Sequence, residues 1–201
     1  METSKSVVRF TNYRPEYYSA LKSLMQLCYA DMGGACVTEE EILLLSELYP
    51  EGQILCFVDD VLVGGLTSRV VPFEKYSKSH TQEQIADIDT FIEDARTGNA
   101  IYGLDTFSHP DYAHLRVGRN MTKIFCEQIQ KDNFEWLIGV SRVSSFINYP
   151  ELSLSEYVSK VVSREIRDQA LSFHLLTVNT VLDLAENFNS DDLPSRGCGV
   201  V

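Results

Sequence analysis

Residues 100–129 contain the side chains whose types and spacing best suit chemistry. An apolar run ends at a His-Pro dipeptide, a loop follows with Arg116, Gly118 and Arg119, and a periodic helix begins there. The first amide N–H groups of a helix lack intrahelical partners and lie at the positive end of its dipole, so they attract anions. Gly118 permits close approach to the backbone, and guanidinium groups bind phosphate oxygens. The pattern predicts a phosphate site, although a strand-loop-helix unit without a ligand has the same pattern.

Periodicity and capping signals divide the chain into strands and helices that would position this loop. We predict strands over 7–12, 53–59, 62–71, 100–107, 134–140, 180–185 and 198–201, the second and third joined as a hairpin at Asp59-Asp60. We predict helices over 39–48, 81–95 and 168–175, with others beginning at Pro15, Arg116 and Ser153. Capping boxes support two of these starts, Thr38 with Glu41 and Ser153 with Glu156.

The apolar positions in these helices indicate which side chains face the core. Those expected to be buried are Tyr18, Leu21, Met25 and Cys28, then Ile85, Ile88 and Ile92, then Val117, Met121, Ile124, Phe125 and Ile129, and finally Tyr157, Val161 and Val162. The order of elements predicts an α/β fold, a mixed sheet with helices on both faces. A chain of 201 residues that is 44% hydrophobic is long enough for one domain with a full core.

Composition excludes several classes of protein. A formal charge of −12 argues against a nucleic-acid partner, although 8 of the 17 Lys and Arg residues lie between Arg116 and Arg167 and could form a local basic patch. No apolar run reaches the ~18 residues of a membrane span, and the N-terminus lacks an apolar core, so we expect a cytoplasmic protein with no membrane partner. The five cysteines are scattered without C-x-x-C spacing, which favours reduced thiols and no metal site and leaves a catalytic cysteine open.

The order of elements resembles the GNAT superfamily of acyltransferases over nearly the whole chain. In that superfamily the central strand and the loop R/Q-x-x-G-x-G/A bind the pyrophosphate of coenzyme A. The loop here reads HPDYAHLRVGRNM and is similar to HPxYRGLRLGRRL of some branches, except that Ala113 and His114 replace Arg and Gly. The resemblance implies a single GNAT domain over 5–201 and acyl-coenzyme A as the ligand. It implies contacts from Phe107, Ser108, His109, His114, Leu115, Arg116, Val117, Gly118 and Arg119.

The C-terminal half resembles one branch, the GNAT-like domains of polyketide synthase loading modules. The matching segments are GVSR at 139–142, SLSEYV at 153–158, LSFH at 171–174, NFNSDD at 187–192 and GCGVV at 197–201. A related branch fused to carbon-nitrogen hydrolases shares the loop but reads GRIPGY and LTFQ where this chain has SRVSSF and LSFH. His174 therefore favours the loading type, and an abrupt end at Val201 makes us expect an excised domain as readily as a free-standing protein.

The loading-type resemblance implies catalytic roles for His174 and Ser141. The hydroxyl would hold the thioester carbonyl, and the imidazole would act as a general acid. The resemblance places Arg142 and Asn189 at the substrate, with Asn189 where that branch has an Arg. Without the resemblance, the pattern is more typical of a hydrogen-bonded core histidine at 174. By default Ser141 is a loop hydroxyl, and Arg142 is a surface cation or part of a structural ion pair.

Three functions are compatible with the sequence. The resemblance favours decarboxylation of malonyl- or methylmalonyl-coenzyme A, S-acyl transfer to an acyl carrier protein, or both. A conventional N-acetyltransferase would instead move acetyl from acetyl-coenzyme A to an amine, with a carboxylate or water as base and a Tyr as acid. The third hypothesis is a non-catalytic GNAT-fold interaction protein whose altered loop no longer binds coenzyme A.

Overall fold

A computed structural model describes residues 6–34, 36–177 and 180–201 of the chain. These residues divide into two compact units, each built from two segments. Unit 1 contains the described residues within 1–70 and 101–135, and unit 2 contains those within 71–100 and 136–201. The single domain over 5–201 therefore stays a prediction, and each unit is described separately.

Helices and strands alternate as an α/β fold requires, which confirms the predicted fold class. The strands are β1 Val8–Asn12, β2 Ile54–Val58, β3 Val61–Val71, β4 Ala100–Ser108, β5 Trp136–Gly139, β6 Ser141–Arg142, β7 Leu184–Ala185 and β8 Gly199–Val200. The α-helices are α1 Tyr18–Cys28, α2 Glu39–Leu48, α3 Phe73–Tyr76, α4 Gln82–Ala86, α5 Phe91–Thr97, α6 Val117–Lys131, α7 Leu154–Val162 and α8 Gln169–Leu175.

Unit 1 is a sheet in which β1, β2, β3 and β4 lie side by side in that order. Strands β2 and β3 form the predicted hairpin, and Asp59 and Asp60 both adopt positive φ, as a tight two-residue turn requires. Helix α2 begins and ends where predicted. Its start is fixed by a capping box, in which the Thr38 hydroxyl accepts from the Glu41 amide and the Glu41 carboxylate accepts from the Thr38 amide.

The middle of β3 lies close to the two ends of the predicted phosphate loop. A Cβ added at Gly64 would lie 2.5 Å from Val117 Cγ1 and 3.2 Å from the carbonyl oxygen of Phe107. At Gly65 it would lie 2.5 Å from the ring of Phe107. Two successive glycines therefore let the end of β4 and the start of α6 pack directly on β3.

Unit 2 contains a small sheet in which β8 lies between β6 and β7, antiparallel to both. The predicted C-terminal strand is confirmed, although it pairs over two residues rather than four. The core of unit 2 lies between this sheet and helices α7 and α8. The buried members are Val143, Phe146, Leu154, Tyr157, Val158, Val161, Ile166, Leu171 and Val200.

Two expectations for the first part of unit 2 are wrong. The helix predicted over 81–95 is two helices, because the chain leaves the helical conformation at Asp87, whose carboxylate accepts from the Asp89 amide and starts a new turn. In the second helix the buried face is shifted by one residue, so that Phe91 is buried and Ile92 is exposed.

Two further expectations in unit 2 need correction. The strand predicted over 134–140 is shorter, and only Ile138 of β5 is fully buried, while Trp136 is half exposed and stacks on Phe73. Helix α7 begins at the predicted capping box, and Tyr157 and Val161 are buried as expected, but Val162 is exposed. The helical period turns Val162 away once its neighbour Val161 is buried.

Candidate functional site

Strand β4 ends at Ser108 and leads into a tight helical turn over Pro110–Leu115. The His109 amide donates to the Val63 carbonyl of β3 at 2.8 Å, which continues the strand pairing to the edge of the loop. The His109 Nδ1 accepts from the Asp111 amide at 3.2 Å and caps the turn. These two hydrogen bonds of His109 fix the path of the chain from β4 into the turn.

The step from this turn to helix α6 is made at one residue in an unusual conformation. Arg116 has a φ of 53° and a ψ of 39°, the left-handed region that glycine occupies at little cost. This is the position at which the GNAT loop pattern has its first glycine. An Arg here carries a backbone cost of roughly 1 kcal/mol, which the surrounding loop must offset.

The start of α6 has free amide donors, because the side chain of Arg116 does not cap the helix. The Asn120 amide donates to the Arg116 carbonyl at 3.0 Å. Among the described residues, nothing accepts a hydrogen bond from the amides of Val117, Gly118 and Arg119. Three adjacent amides at the positive end of a 15-residue helix form the kind of site that binds phosphate.

The structure brings all nine predicted ligand residues into this one segment of unit 1, but with different roles. The side chains of Phe107 and Val117 are buried in the core, so only their backbone can contact a ligand. Arg116, Arg119 and His114 are exposed and free to reach an anion. Ser108, His109, Leu115 and Gly118 lie between these extremes.

The predicted catalytic residues lie in unit 2 on two elements that pack together, β6 and α8. Ser141 is buried in β6 opposite Val200, and its hydroxyl donates to the Arg142 carbonyl at 3.0 Å. His174 is half-buried near the end of α8. The structure therefore places the serine and histidine segments side by side.

Burial lowers the pKa of His174 below its ordinary value, and the negative charge of Asp168 opposes this effect. Among the described residues, nothing forms a hydrogen bond with the His174 ring. The imidazole is therefore free to meet a substrate. A lowered pKa also makes its protonated form a stronger acid, which suits proton donation to a carbanion.

The two predicted substrate contacts, Arg142 and Asn189, take part in structural hydrogen bonds. Arg142 Nε and Nη2 each donate to the buried Asp192 carboxylate at 2.7 Å, a two-pronged ion pair. The Asn189 side chain accepts from the Asp191 amide at 3.0 Å and stabilises the same turn. Both residues are thus held rigidly within unit 2, and their substrate role stays a prediction.

The sequence did not single out a carboxyl group that unit 1 contains on β4. Asp105 Oδ1 accepts from the Tyr29 hydroxyl at 2.9 Å, and Oδ2 accepts from the Thr67 hydroxyl at 3.5 Å. Burial raises the pKa of Asp105, while these two hydrogen bonds act in the opposite direction. An acidic residue inside an apolar strand was the available signal, but its partner is 76 residues away in the chain.

None of the helices in 6–34, 36–177 and 180–201 is long and apolar enough to cross a membrane. Across the same ranges, no group of three or more His, Cys, Asp or Glu side chains is arranged to hold a metal ion.

Comparison with known proteins adds two relatives from Bacillus subtilis (strain 168), while no protein-family model matches the chain. The chain is 26% identical over 157 residues to YhcX, described as a probable hydrolase. The aligned segment makes up 78% of this chain but only 31% of YhcX. The chain is also 26% identical over 183 residues to YkwB, described as an uncharacterized N-acetyltransferase, with 90% of this chain and 81% of YkwB covered. The chain thus spans less than a third of the first relative.

Two solved structures are similar over 96% of the chain, each at 19% identity. The loading GNATL domain of CurA from Lyngbya majuscula has a TM-score of 0.81, with 95% of its chain covered. The GphF GNAT-like decarboxylase in complex with isobutyryl-CoA has a TM-score of 0.78, with 96% covered. The chain therefore has the GNAT fold. Both of these neighbours are GNAT-like domains of the kind that the sequence resembles.

The left-handed conformation of Arg116 predicts an unusual response to glycine. Arg116→Gly should raise the free energy of unfolding by about 1 kcal/mol, because glycine relieves the backbone cost. The matched change Arg119→Gly, inside helix α6, should lower it by about 1 kcal/mol. Urea unfolding of both variants without ligand measures the two effects. A destabilised Arg116→Gly variant would contradict the backbone assignment.

Proposed function

We propose that the protein is an acyl-coenzyme A enzyme whose loop over 107–119 binds the coenzyme's pyrophosphate. The observation that carries this is the set of three unpartnered amides at Val117, Gly118 and Arg119, at the start of α6. The solved complex of GphF with isobutyryl-CoA supports it, because that protein has the same fold. Backbone amides can bind phosphate whatever side chains surround them, so the replacements at Ala113 and His114 do not remove the site.

The exposed side chains of the loop would add to this backbone site. Arg116 and Arg119 flank the three amides and can donate charge-assisted hydrogen bonds to phosphate oxygens. His114, which accompanies them in the loop, has its Nδ1 3.1 Å from the Asp111 carbonyl. This places one ring nitrogen toward the backbone and leaves the other available to a ligand. The loop therefore offers three cationic or polar side chains around one anion position.

The chemistry proposed for His174 and Ser141 acts on the acyl group. When malonyl- or methylmalonyl-coenzyme A loses carbon dioxide, the bond between the α-carbon and the carboxylate breaks. Its electron pair stays on the thioester as an enolate, and His174 donates the proton that completes the new acyl-coenzyme A. The Ser141 hydroxyl would turn from the Arg142 carbonyl and donate to the thioester oxygen, where negative charge develops. The site thus has an acid and a carbonyl donor on adjacent elements.

The same residues suit acyl transfer to the thiol of an acyl carrier protein. His174 would accept the thiol proton as the sulfur attacks the thioester carbon, and would return it to the coenzyme A sulfur that leaves. Arg142 and Asn189 would border the acyl group. Asp192 balances the charge of Arg142, which disfavours binding of a free carboxylate by Arg142, and acyl transfer does not need that contact.

The decarboxylase proposal predicts acetyl-coenzyme A from malonyl-coenzyme A, detected by mass spectrometry. His174→Ala should reduce the rate by about a hundredfold or more, because the proton donor is lost, while coenzyme A binding is retained. The rate should fall as pH rises through the lowered pKa of His174, since the protonated imidazole is the acid.

Retained coenzyme A binding without turnover by the intact protein would contradict decarboxylation. The acyl-transfer proposal would then be tested separately, by measuring whether the mass of an acyl carrier protein increases by one acyl group. Absence of any thermal shift with millimolar coenzyme A would favour a non-catalytic protein, because a ligand at 100 times its Kd stabilises by about 2.7 kcal/mol.

A second candidate, N-acyl transfer to an amine, is favoured by the Asp105 and Tyr29 pair in unit 1. A carboxyl group whose pKa is raised by burial is a suitable general base for an ammonium, and the tyrosine beside it is a suitable acid. The curated relative YkwB is described as an N-acetyltransferase. This reaction needs neither His174 nor Ser141.

N-acyl transfer predicts amine-dependent release of the coenzyme A thiol, measured with a thiol reagent against a panel of amines. Asp105→Asn should reduce this release by about a hundredfold, because the base is removed. Asp132→Asn is a matched control, because Asp132 accepts from the Tyr49 hydroxyl at 2.8 Å in the same unit and has no proposed role. Equal release by wild type and Asp105→Asn would contradict this candidate.

A further inference from the structure

Asp168 is a buried carboxylate that accepts hydrogen bonds from the segments around His174, the proposed acid. Its side chain is inaccessible to solvent. One oxygen accepts from the amides of Ala170 and Leu171 at 3.0 and 2.9 Å, and so caps helix α8. The other oxygen accepts from the Ser145 amide at 2.9 Å and from the Tyr157 hydroxyl at 2.8 Å.

These four hydrogen bonds join three segments of unit 2. Ser145 lies in the loop that follows β6, the strand of Ser141, and Tyr157 is a fully buried residue of α7. The capped helix α8 carries His174. A buried charge is tolerated only when it is well paired, and here the pairing fixes the two segments that bear the proposed catalytic groups.

The charge of Asp168 also acts on His174. Helix α8 packs on α7 and β6, and the ionisable side chains of those elements have their own partners. These pairs are Glu156 with Ser153, Tyr157 with Asp168, Lys160 with Glu165, and Arg142 with Asp192. At the N-cap of α8, Asp168 is the charged group that favours the protonated imidazole against the effect of burial.

We propose that Asp168 is a positioning residue, which holds the segments of Ser141 and His174 in one arrangement and places a negative charge on the helix that carries the acid. This inference rests on the proposed function of His174. The charge effect on the imidazole, however, exists whether or not the protein turns over acyl-coenzyme A. The two claims can therefore fail separately.

The first test follows the His174 imidazole by NMR titration in the protein without ligand, with His174→Ala to assign its signal. Asp168→Asn keeps an oxygen for the two helix amides but removes the charge, so the pKa of His174 should move lower. An unchanged His174 pKa in a folded Asp168→Asn protein would overturn the proposal.

A second pair of variants guards against misfolding of the single change. Asp168→Asn leaves the Tyr157 hydroxyl without its acceptor, whereas the double change Tyr157→Phe with Asp168→Asn removes both partners together. Compared with Tyr157→Phe alone, the double variant loses the charge at 168 and the acceptor of the Ser145 amide, but leaves no tyrosine hydroxyl without a partner. The His174 pKa should be lower in the double variant, and equal values would overturn the proposal.

Turnover gives a separate readout. Loss of Asp168 should lower kcat about ten- to a hundredfold through misplaced groups, and should move the high-pH fall in rate to lower pH. The KM for acyl-coenzyme A should change little, because the pyrophosphate loop belongs to unit 1. A change in KM alone would overturn the positioning role. If no variant or wild type turns over, the proposed function fails, while the NMR titration still decides the charge effect.

Discussion

The packing of β3 against both ends of the 107–119 loop is the interaction on which unit 1 depends for its site. Gly64 and Gly65 have no side chains, so Phe107 and Val117 can lie against the strand, and the His109 amide can bond to Val63. With both ends fixed, the chain must turn within a few residues, and it does so through a left-handed Arg116. Helix α6 begins at that turn, and its first three amides are free because the Arg116 side chain does not cap them. The predicted anion site therefore depends on backbone that the sheet packing fixes, and its side chains are secondary.

Unit 2 obtains its candidate site in a different way. There the backbone segments are joined by side chains, above all by the Asp168 carboxylate and by the Arg142–Asp192 pair. Each is buried or half-buried, and each satisfies the polar groups around it. Loss of a single partner would leave a charge or a donor unsatisfied, which costs far more than an exposed ion pair contributes. The predicted anion loop should thus tolerate side-chain changes that the His174 region cannot.

Local signals in the sequence were sufficient for much of the fold. The capping boxes at Thr38 and Ser153 located α2 and α7, and a phosphate site could be predicted over 107–119 because its residues are contiguous. The helix over 81–95 was mispredicted because the side chain of Asp87 competes with the helical backbone, a choice that depends on its surroundings. Contacts between distant residues had no local signal: Asp105 meets Tyr29 across 76 residues, and Arg142 meets Asp192 across 50. The sequence placed Asp168 at the start of the helix predicted over 168–175, but it did not indicate Asp168 as the acceptor for Ser145 and Tyr157.

Binding of coenzyme A by the amides that begin α6 is the central claim, and amide NMR tests it most directly. Titration of the labelled protein with coenzyme A should shift the signals of Val117, Gly118 and Arg119 more than those of other residues, because the pyrophosphate accepts from these groups. Pantetheine, which lacks the pyrophosphate, should leave these three signals in place. Unchanged signals for all three residues at saturating coenzyme A, or equal shifts with pantetheine, would contradict the account.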